Sequence, residues 1–315
     1  MHDWDECLRR ASAGNPPPAQ DRRRSDERWR VLLSSQCYAI ARAKGTEAPF
    51  GPDYCPRVEP GRYHCACCAA PLFEAGAGFV SGTGWPSFTQ PITDAAVAYH
   101  HDHSHGRQRI EVTCNSCEAH LGHVFPDGPP PSGLRYCINA AVLDRLPPGA
   151  EIATVGGGCF WCTQAQFQQV DGVYAATCGY AGGHTPDPDY AAVCSGTTGH
   201  IEVVQLVFDP QCLPYERLLR LHLASHDPTS RDRQGADVGE QYRSVIFTHD
   251  ASQETVAQTV LAAAQAASQV PIVTELRPLT CFHRAEYEHQ GYFARHSKSA
   301  YCQAVIASKL KGDTE

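Results

Sequence analysis

Apolar and polar positions follow different rhythms in the two halves of this chain. From Ser25 to Gly45 apolar residues recur at helical spacing, whereas after Thr46 short apolar runs are broken by Gly and Pro, the pattern of short strands joined by turns. Asp144 to Ala150, with Pro147-Pro148-Gly149 inside it, reads as a linker. Beyond it strands alternate with helices. Glu151 to Val155 reads as a strand, Phe160 to Gln169 as a helix, Ile201 to Asp209 as a strand and Leu213 to His226 as a helix. Gln234 to Ser244 leads into a strand through Phe247, and Ala251 to Ser268, rich in Ala and without Gly or Pro, is the clearest helix. Residues 1–24, with Pro16-Pro17-Pro18 and the basic Arg22-Arg23-Arg24, are expected to form a disordered tail whose charges are solvated. The expected organisation is thus a β-rich domain over residues 25–147, then an α/β sandwich with a mixed or antiparallel sheet over residues 148–315.

Composition narrows the partners. The chain has 315 residues, enough for about two ordinary domains, and at 42% hydrophobic and 19% charged it is globular. A formal net charge of −8 gives a nucleic-acid or anionic-membrane partner little support, so a small or neutral ligand is expected; a monomer is expected separately. No apolar run approaches the roughly 20 residues that span a bilayer, and the N-terminus lacks the apolar core of a signal peptide, so a cytoplasmic location is expected. In a reducing compartment, 16 cysteines signify metal or redox chemistry rather than a disulfide framework.

Those cysteines fall into recognisable settings. Cys65-Ala66-Cys67-Cys68 and Cys114-Asn115-Ser116-Cys117 are two C-x-x-C pairs, and together Cys65, Cys68, Cys114 and Cys117 would complete a closed tetrahedral zinc site with no open position, hence structural. Cys67 is the odd member and reads as a bystander. Cys159 follows Gly156-Gly157-Gly158 at the start of the expected helix, where unpaired N–H groups and the helix dipole favour a thiolate. In Arg135-Tyr136-Cys137-Ile138-Asn139, a strand would put Arg135, Cys137 and Asn139 on one face, the guanidinium lowering the thiol pKa. His120, His123 and Asp127 lie close by as proton-handling candidates. The insertion His100-His101-Asp102-His103-Ser104-His105 reads as a solvated loop.

Three motifs in order, Gly82-Thr83-Gly84-Trp85-Pro86-Ser87-Phe88, HLGHVFPDGP and GLRYCIN, resemble the B-type methionine sulfoxide reductases, a zinc-containing β-fold family, over about Trp29 to Leu146. The resemblance implies Cys137 as nucleophile, His120, His123 and Asp127 as proton handlers, Arg135 and Asn139 as its polar network, and Trp85 as the wall that receives the substrate methyl. Many members carry a second, disulfide-forming cysteine where this chain has Thr83; Cys55 is the first substitute and Cys37 the second. Over residues 152–310, GCFWC, GYAGG, GHIEV, GADVGEQYRS and AEYEHQ resemble the A-type methionine sulfoxide reductases. That likeness implies Cys159 as nucleophile, Phe160 and Trp161 as methyl pocket, and Tyr190, Glu202, Asp237 and Tyr242 around the sulfoxide oxygen. Gln164 stands where most A-type sequences have Glu, with an indirect effect expected.

The chemistry that follows needs a thiolate to attack sulfur while an acid protonates the departing oxygen. Glu202 in an apolar pocket suits that task, as does His123 in the other half. The resulting sulfenic acid would pass to a disulfide with Cys162, then Cys302, and be recycled by thioredoxin or a similar dithiol. Free methionine sulfoxide or oxidised proteins are the expected substrates, with no organic cofactor. Since methionine sulfoxide repair uses one enzyme per epimer, the resemblance implies S-epimer work in the C-terminal half and R-epimer work in the N-terminal half. Cys178, Cys194, Cys212 and Cys281 read as incidental thiols. The alternative is a thioredoxin-like thiol–disulfide oxidoreductase using Cys159 and Cys162, with the first half a zinc-ribbon module.

Overall fold

The computed structural model describes residues 3–51 and 58–298. Two units divide the chain, Met1–Pro148 and Gly149–Glu315.

The first unit opens with helices α1 (Trp4–Ala13), α2 (Asp26–Leu32) and α3 (Ser35–Ala41). Strands β1 (Arg62–Cys65), β2 (Pro71–Glu74), β3 (Ser87–Phe88), β4 (Val97–Asp102), β5 (Arg109–Cys114), β6 (His120–Phe125), β7 (Arg135–Ile138) and β8 (Leu143–Leu146) follow. They form an antiparallel three-stranded sheet, β2-β1-β8, and an antiparallel five-stranded sheet, β3-β7-β6-β5-β4. Both sheets feed one core, in which Phe73 stacks on Phe88 at 4.4 Å between ring centroids and Tyr136 and Trp29 are fully buried. The helical stretch expected over Ser25 to Gly45 is two helices rather than one, because Ser34 caps α3 by accepting a hydrogen bond from Cys37 N.

The expected disordered tail is instead an ordered helix. Trp4, Cys7, Leu8 and Ala11 recur at i, i+3, i+4 and i+7 and pack on the core, Asp3 caps the helix, and Cys7 is fully buried. Arg10 is buried too, its guanidinium donating to Asp94 O at 2.8 Å and Val97 O at 2.9 Å while lying 4.7 Å above the Tyr99 ring. The basic run is only partly solvated: Arg22 donates to Cys68 O, Arg23 pairs with Asp21 and Glu118, and Arg24 lies over Trp29. Charge and proline concealed a short amphipathic stripe.

The second unit is an α/β sandwich. Its elements run β9 (Glu151–Gly156), α4 (Phe160–Phe167), β10 (Val173–Ala181), α5 (Tyr190–Cys194), β11 (Ile201–Phe208) and α6 (Tyr215–Ala224). Then come β12 (Arg233–Gln234), β13 (Asp237–Val238), β14 (Val245–Thr248), α7 (Ala251–Ala267), β15 (Glu275–Pro278), β16 (Phe282–Arg284) and α8 (Tyr292–His296). The six-stranded sheet has order β15-β14-β9-β11-β10-β16 and is mixed, β14 and β15 being its parallel pair. Alternation along β11 divides its side chains: Val204, Leu206 and Phe208 join the cluster beneath α4, α6 and α7, while Ile201 and Val203 join a second cluster with Val245 and Phe247. Glu202 shares the parity of Val204, so its carboxyl points to the α4 side. No helix among the described residues is long and apolar enough to cross a membrane.

Because Arg10 satisfies the buried Val97 carbonyl and the part-buried Asp94 carbonyl, Arg10→Ala should lower the stability of the first unit by about 1–3 kcal/mol. A urea midpoint unchanged by the substitution would mean that α1 contributes nothing to that core.

Candidate functional sites

Loops after β1 and β5 gather Cys65, Cys68, Cys114 and Cys117, all buried, with their sulfurs within 4.8 Å of one another. Cys65 and Cys117 Sγ are 3.7 Å apart, as are Cys68 and Cys114 Sγ. Four thiolates about 2.3 Å from a tetrahedral ion stand about 3.8 Å apart, whereas disulfide sulfurs stand about 2.05 Å apart. The cluster therefore fits a tetrahedral metal ion. Cys67 lies beside it, against Cys37.

A second site crosses the five-stranded sheet. The register pairs Ser87 with Cys137, Cys137 with His123, and His123 with Glu111, so these side chains form a row on one face. Gly122 lets β6 approach β7 this closely: at φ +155, a Cβ there would lie 2.0 Å from Cys137 O. His123 Nε2 lies 2.7 Å from Asp102 Oδ2, and Asp102 also accepts from Arg109 at 2.7 Å. Burial pushes the His123 pKa down, and the Asp102 hydrogen bond only partly opposes it, so the ring is neutral near pH 7. His120 Nδ1 lies 2.7 Å from Glu111 Oε1. Burial pushes the Glu111 carboxyl up, but hydrogen bonds from His120 and Lys44 outweigh it and hold the pKa at about 2. Lys44 Nζ donates to Glu111 Oε2 at 2.8 Å.

Arg135 grips Asp127 through two hydrogen bonds, Nε to Oδ1 at 2.9 Å and Nη2 to Oδ2 at 2.8 Å. The expectation that Arg135 would give Cys137 a lowered pKa is overturned in its net sign. Burial raises the thiol; Arg135 and Thr83 pull it down less than burial pushes it up, and Asp127 adds to the rise. Thr83 Oγ1 is 3.9 Å from Cys137 Sγ. Asn139 follows β7 and turns inward, its amide donating to Leu121 O at 2.9 Å and accepting from Glu47 N at 3.1 Å. Trp85 is half-buried and donates through Nε1 to Glu47 O at 3.2 Å. The His100 insertion is not simply a solvated loop: His100 to Asp102 continue β4, whose pairing with β5 carries Asp102 toward His123.

The third site lies where β9 meets α4. Cys159 occupies the N-cap of α4 and is buried. Gly158 before it has φ +90, and a Cβ there would lie 2.7 Å from the Gln234 side chain, so glycine alone fits the turn. Phe160 N, one of the unpaired groups at the helix start, donates to Glu202 Oε2 at 3.0 Å. Glu202 is wholly buried; burial, then the nearby Cys159 and Asp237, raise its pKa well above the usual carboxylate range, against the pull of Phe160 N–H. Tyr190 and Tyr242 are also raised, by burial first, with Glu202 contributing to each, so both keep their hydroxyl protons. Cys159, Cys162, Trp161 and Tyr242 share one cluster. Phe160 and Trp161 lie 6.4 Å from the Tyr190 ring, and Tyr292 stacks on Trp161 at 3.7 Å.

Gln164 stands apart from Cys159 chemistry. Its Nε2 donates to Ala176 O at 2.9 Å and its Oε1 accepts from Gly291 N at 2.8 Å, tying α4 to β10 and to the start of α8. An ionised carboxylate could make only the second bond. Cys178 is buried beneath α4, its Sγ donating to Phe160 O at 3.6 Å, and Cys194 lies beside Tyr190. Cys55 and Cys302 lie outside the described residues.

The sequence reading missed Asp102 and Glu111 as histidine partners and His289 and Tyr292 as part of the aromatic wall. A carboxylate alone between Ile110 and Val112 was the signal for Glu111, and the AEYEHQ motif already contained His289.

Comparison with known proteins follows this division. A family model for peptide methionine sulfoxide reductase matches residues 151–314, and one for the SelR domain matches residues 33–147. The chain is 54% identical to the peptide methionine sulfoxide reductase MsrA of Granulibacter bethesdensis over 163 residues, 51% of this chain and 88% of that protein. It is likewise 54% identical to MsrA of Thermus thermophilus over 161 residues, 51% of this chain and 92% of that protein. Among solved structures it resembles reduced Mxr1 from Saccharomyces cerevisiae at 29% identity and a TM-score of 0.47, covering 50% of this chain and 91% of that one.

The opposing influences on Cys137 can be separated. Arg135→Ala should shift its alkylation by iodoacetamide to higher pH and Asp127→Asn to lower pH, followed by mass spectrometry of the Cys137 peptide. Profiles that move together, or not at all, would remove Arg135 from control of the thiol.

Proposed function

The chain belongs to the peptide methionine sulfoxide reductases, and on that premise we propose that its halves act on opposite epimers of the sulfoxide, S at Cys159 and R at Cys137. A B-type SelR domain precedes an A-type domain. Supporting the reading most directly is the Glu202 carboxyl, wholly buried, held by Phe160 N and adjacent to the Cys159 thiol.

At the C-terminal site the substrate methyl rests on Phe160 and Trp161. Cys159 sulfur attacks the substrate sulfur while Glu202, protonated because it is buried, gives its proton to the oxygen; Tyr190, Tyr242 and Asp237 hold that oxygen. The balance is one thiol and one sulfoxide giving one sulfenic acid and one thioether. Cys162 then displaces water from the sulfenic acid to form a disulfide, Cys302 takes over by exchange, and a dithiol of thioredoxin type restores both thiols.

At the N-terminal site Cys137 attacks, with the methyl against Trp85. Asp102 fixes Nε2–H of His123, leaving Nδ1 to take the proton of the Cys137 thiol as it attacks and pass it to the oxygen, and the imidazolium so formed is stabilised by the same carboxylate. His120, Asp127, Arg135 and Asn139 support this arrangement. Because Thr83 replaces a thiol beside Cys137, Cys55 or Cys37 forms the disulfide there, or the reductant acts directly. Cys65, Cys68, Cys114 and Cys117 would hold zinc, which four thiolates would leave without an open position, so it would supply stability rather than chemistry. The cysteine-rich composition supports a reducing cytoplasm as its compartment.

Cys159→Ser should abolish reduction of the S epimer alone and Cys137→Ser that of the R epimer alone; loss of both activities from either change would rule out independent sites. Metal analysis should find one zinc per chain, lost in Cys114→Ser with the S activity retained. A folded, zinc-free wild-type protein would contradict the structural role.

A further inference from the structure

The AEYEHQ stretch holds a buried carboxylate that neither reaction above uses. Glu286 is 6% exposed, and both of its oxygens accept hydrogen bonds: Oε2 from the Tyr180 hydroxyl at 2.9 Å and Oε1 from Tyr190 N at 3.2 Å. The two partners flank the C-terminal site. Tyr180 lies on β10 directly opposite Glu202 on β11, with its ring 5.8 Å from that of Phe160. Tyr190 is the first residue of α5, and its ring lies 6.4 Å from those of Phe160 and Trp161. Glu286 therefore joins the strand beside the proton donor to the helix that carries the Tyr190 hydroxyl.

A carboxylate in that place has a cost that packing does not explain. Burying one is expensive unless its oxygens are hydrogen-bonded, and apolar side chains could join β10 to α5 without that cost. What an apolar contact lacks is direction. At five residues α5 is too short to hold its own geometry, and its first N–H has no partner inside the helix. Asp189 takes up Ala192 N at 2.7 Å, whereas Glu286 takes up Tyr190 N and so fixes that residue itself. We propose that Glu286 is a positioning residue for S-sulfoxide reduction, holding Tyr190 by its main chain so that the hydroxyl meets the sulfoxide oxygen on the side where Glu202 delivers the proton. The proposal rests on reading Tyr190 as a hydrogen-bond donor to that oxygen, and it adds the group that sets where the donor stands.

A double-mutant cycle separates positioning from general support. The rate to follow is a single turnover of saturating S-methionine sulfoxide without reductant, so that disulfide recycling cannot mask it. Tyr190→Phe should slow that step about tenfold, one hydrogen bond's worth. Glu286→Ala should slow it by a similar factor with the half-saturating substrate concentration unchanged. In the Tyr190→Phe background Glu286→Ala should slow it further by about twofold at most, because the hydroxyl it serves is already gone. Glu286→Gln, whose amide can accept from Tyr190 N and donate to the Tyr180 oxygen, should recover most of the loss. Equal losses from Glu286→Ala in both backgrounds would reduce Glu286 to structural support, and no loss in the first would deny it a role; both results overturn the proposal. Should Glu286→Ala not fold, Glu286→Asp takes its place in the cycle with the same expected and overturning results, since it keeps the charge but is a methylene too short to reach both partners. Tyr190→Phe as fast as an active wild type would instead sink the reading of Tyr190, and the proposal with it; a wild type inactive on the S epimer would sink the reductase reading and both.

Discussion

A carboxyl group shut away from water beside a reactive thiol is the constraint on which the C-terminal half depends. Glu202 sits on a central strand, wholly buried, and accepts a hydrogen bond from the first turn of the helix that Cys159 caps. A carboxylate in that position would face the thiolate it is meant to serve, at a large cost in a medium of low dielectric. The cost is avoided by keeping the proton, and in the proposed reaction the kept proton is the one that the sulfoxide oxygen receives. Burial, which ordinarily makes an acid inert, here makes it a donor.

The N-terminal half meets the same demand with different parts. Its proposed proton carrier is a histidine paired to a carboxylate, and its thiol is balanced between burial and a guanidinium already engaged by Asp127. Flat sheet geometry explains the difference. A strand offers no free N–H groups at its end comparable to those of a helix, and at Cys137 it is Arg135 that pulls the thiol down against burial. The row from Ser87 through Cys137 and His123 to Glu111 exists because directly paired residues on adjacent strands share a face.

Holding that sheet in place falls to residues distant from it in sequence. The four-cysteine cluster brings the loop after β1 to the loop after β5, and α1 packs against β4 through Cys7 and Arg10. Gln164 does comparable work in the other half by joining α4 to β10 and to the start of α8, where Tyr292 meets Trp161. Family membership sets aside the thioredoxin-like alternative, and the aromatic pair between Cys159 and Cys162 is packed against Tyr190.

Residue spacing alone determined the pairing of two C-x-x-C motifs, the helix start at Cys159, the strand bearing Cys137 and the order of the two domains, because each is carried by neighbours a few positions apart. Helix periodicity in Trp4, Cys7, Leu8 and Ala11 was equally local, but Pro and charge around it masked the signal. Tertiary structure decided the rest. Asp102 finds His123, Glu111 finds His120 and His289 finds Tyr190 only through strand register and loop closure. The net direction of the Cys137 shift is likewise a property of burial, which depends on the atoms packed around a sulfur and not on the residue two places before it.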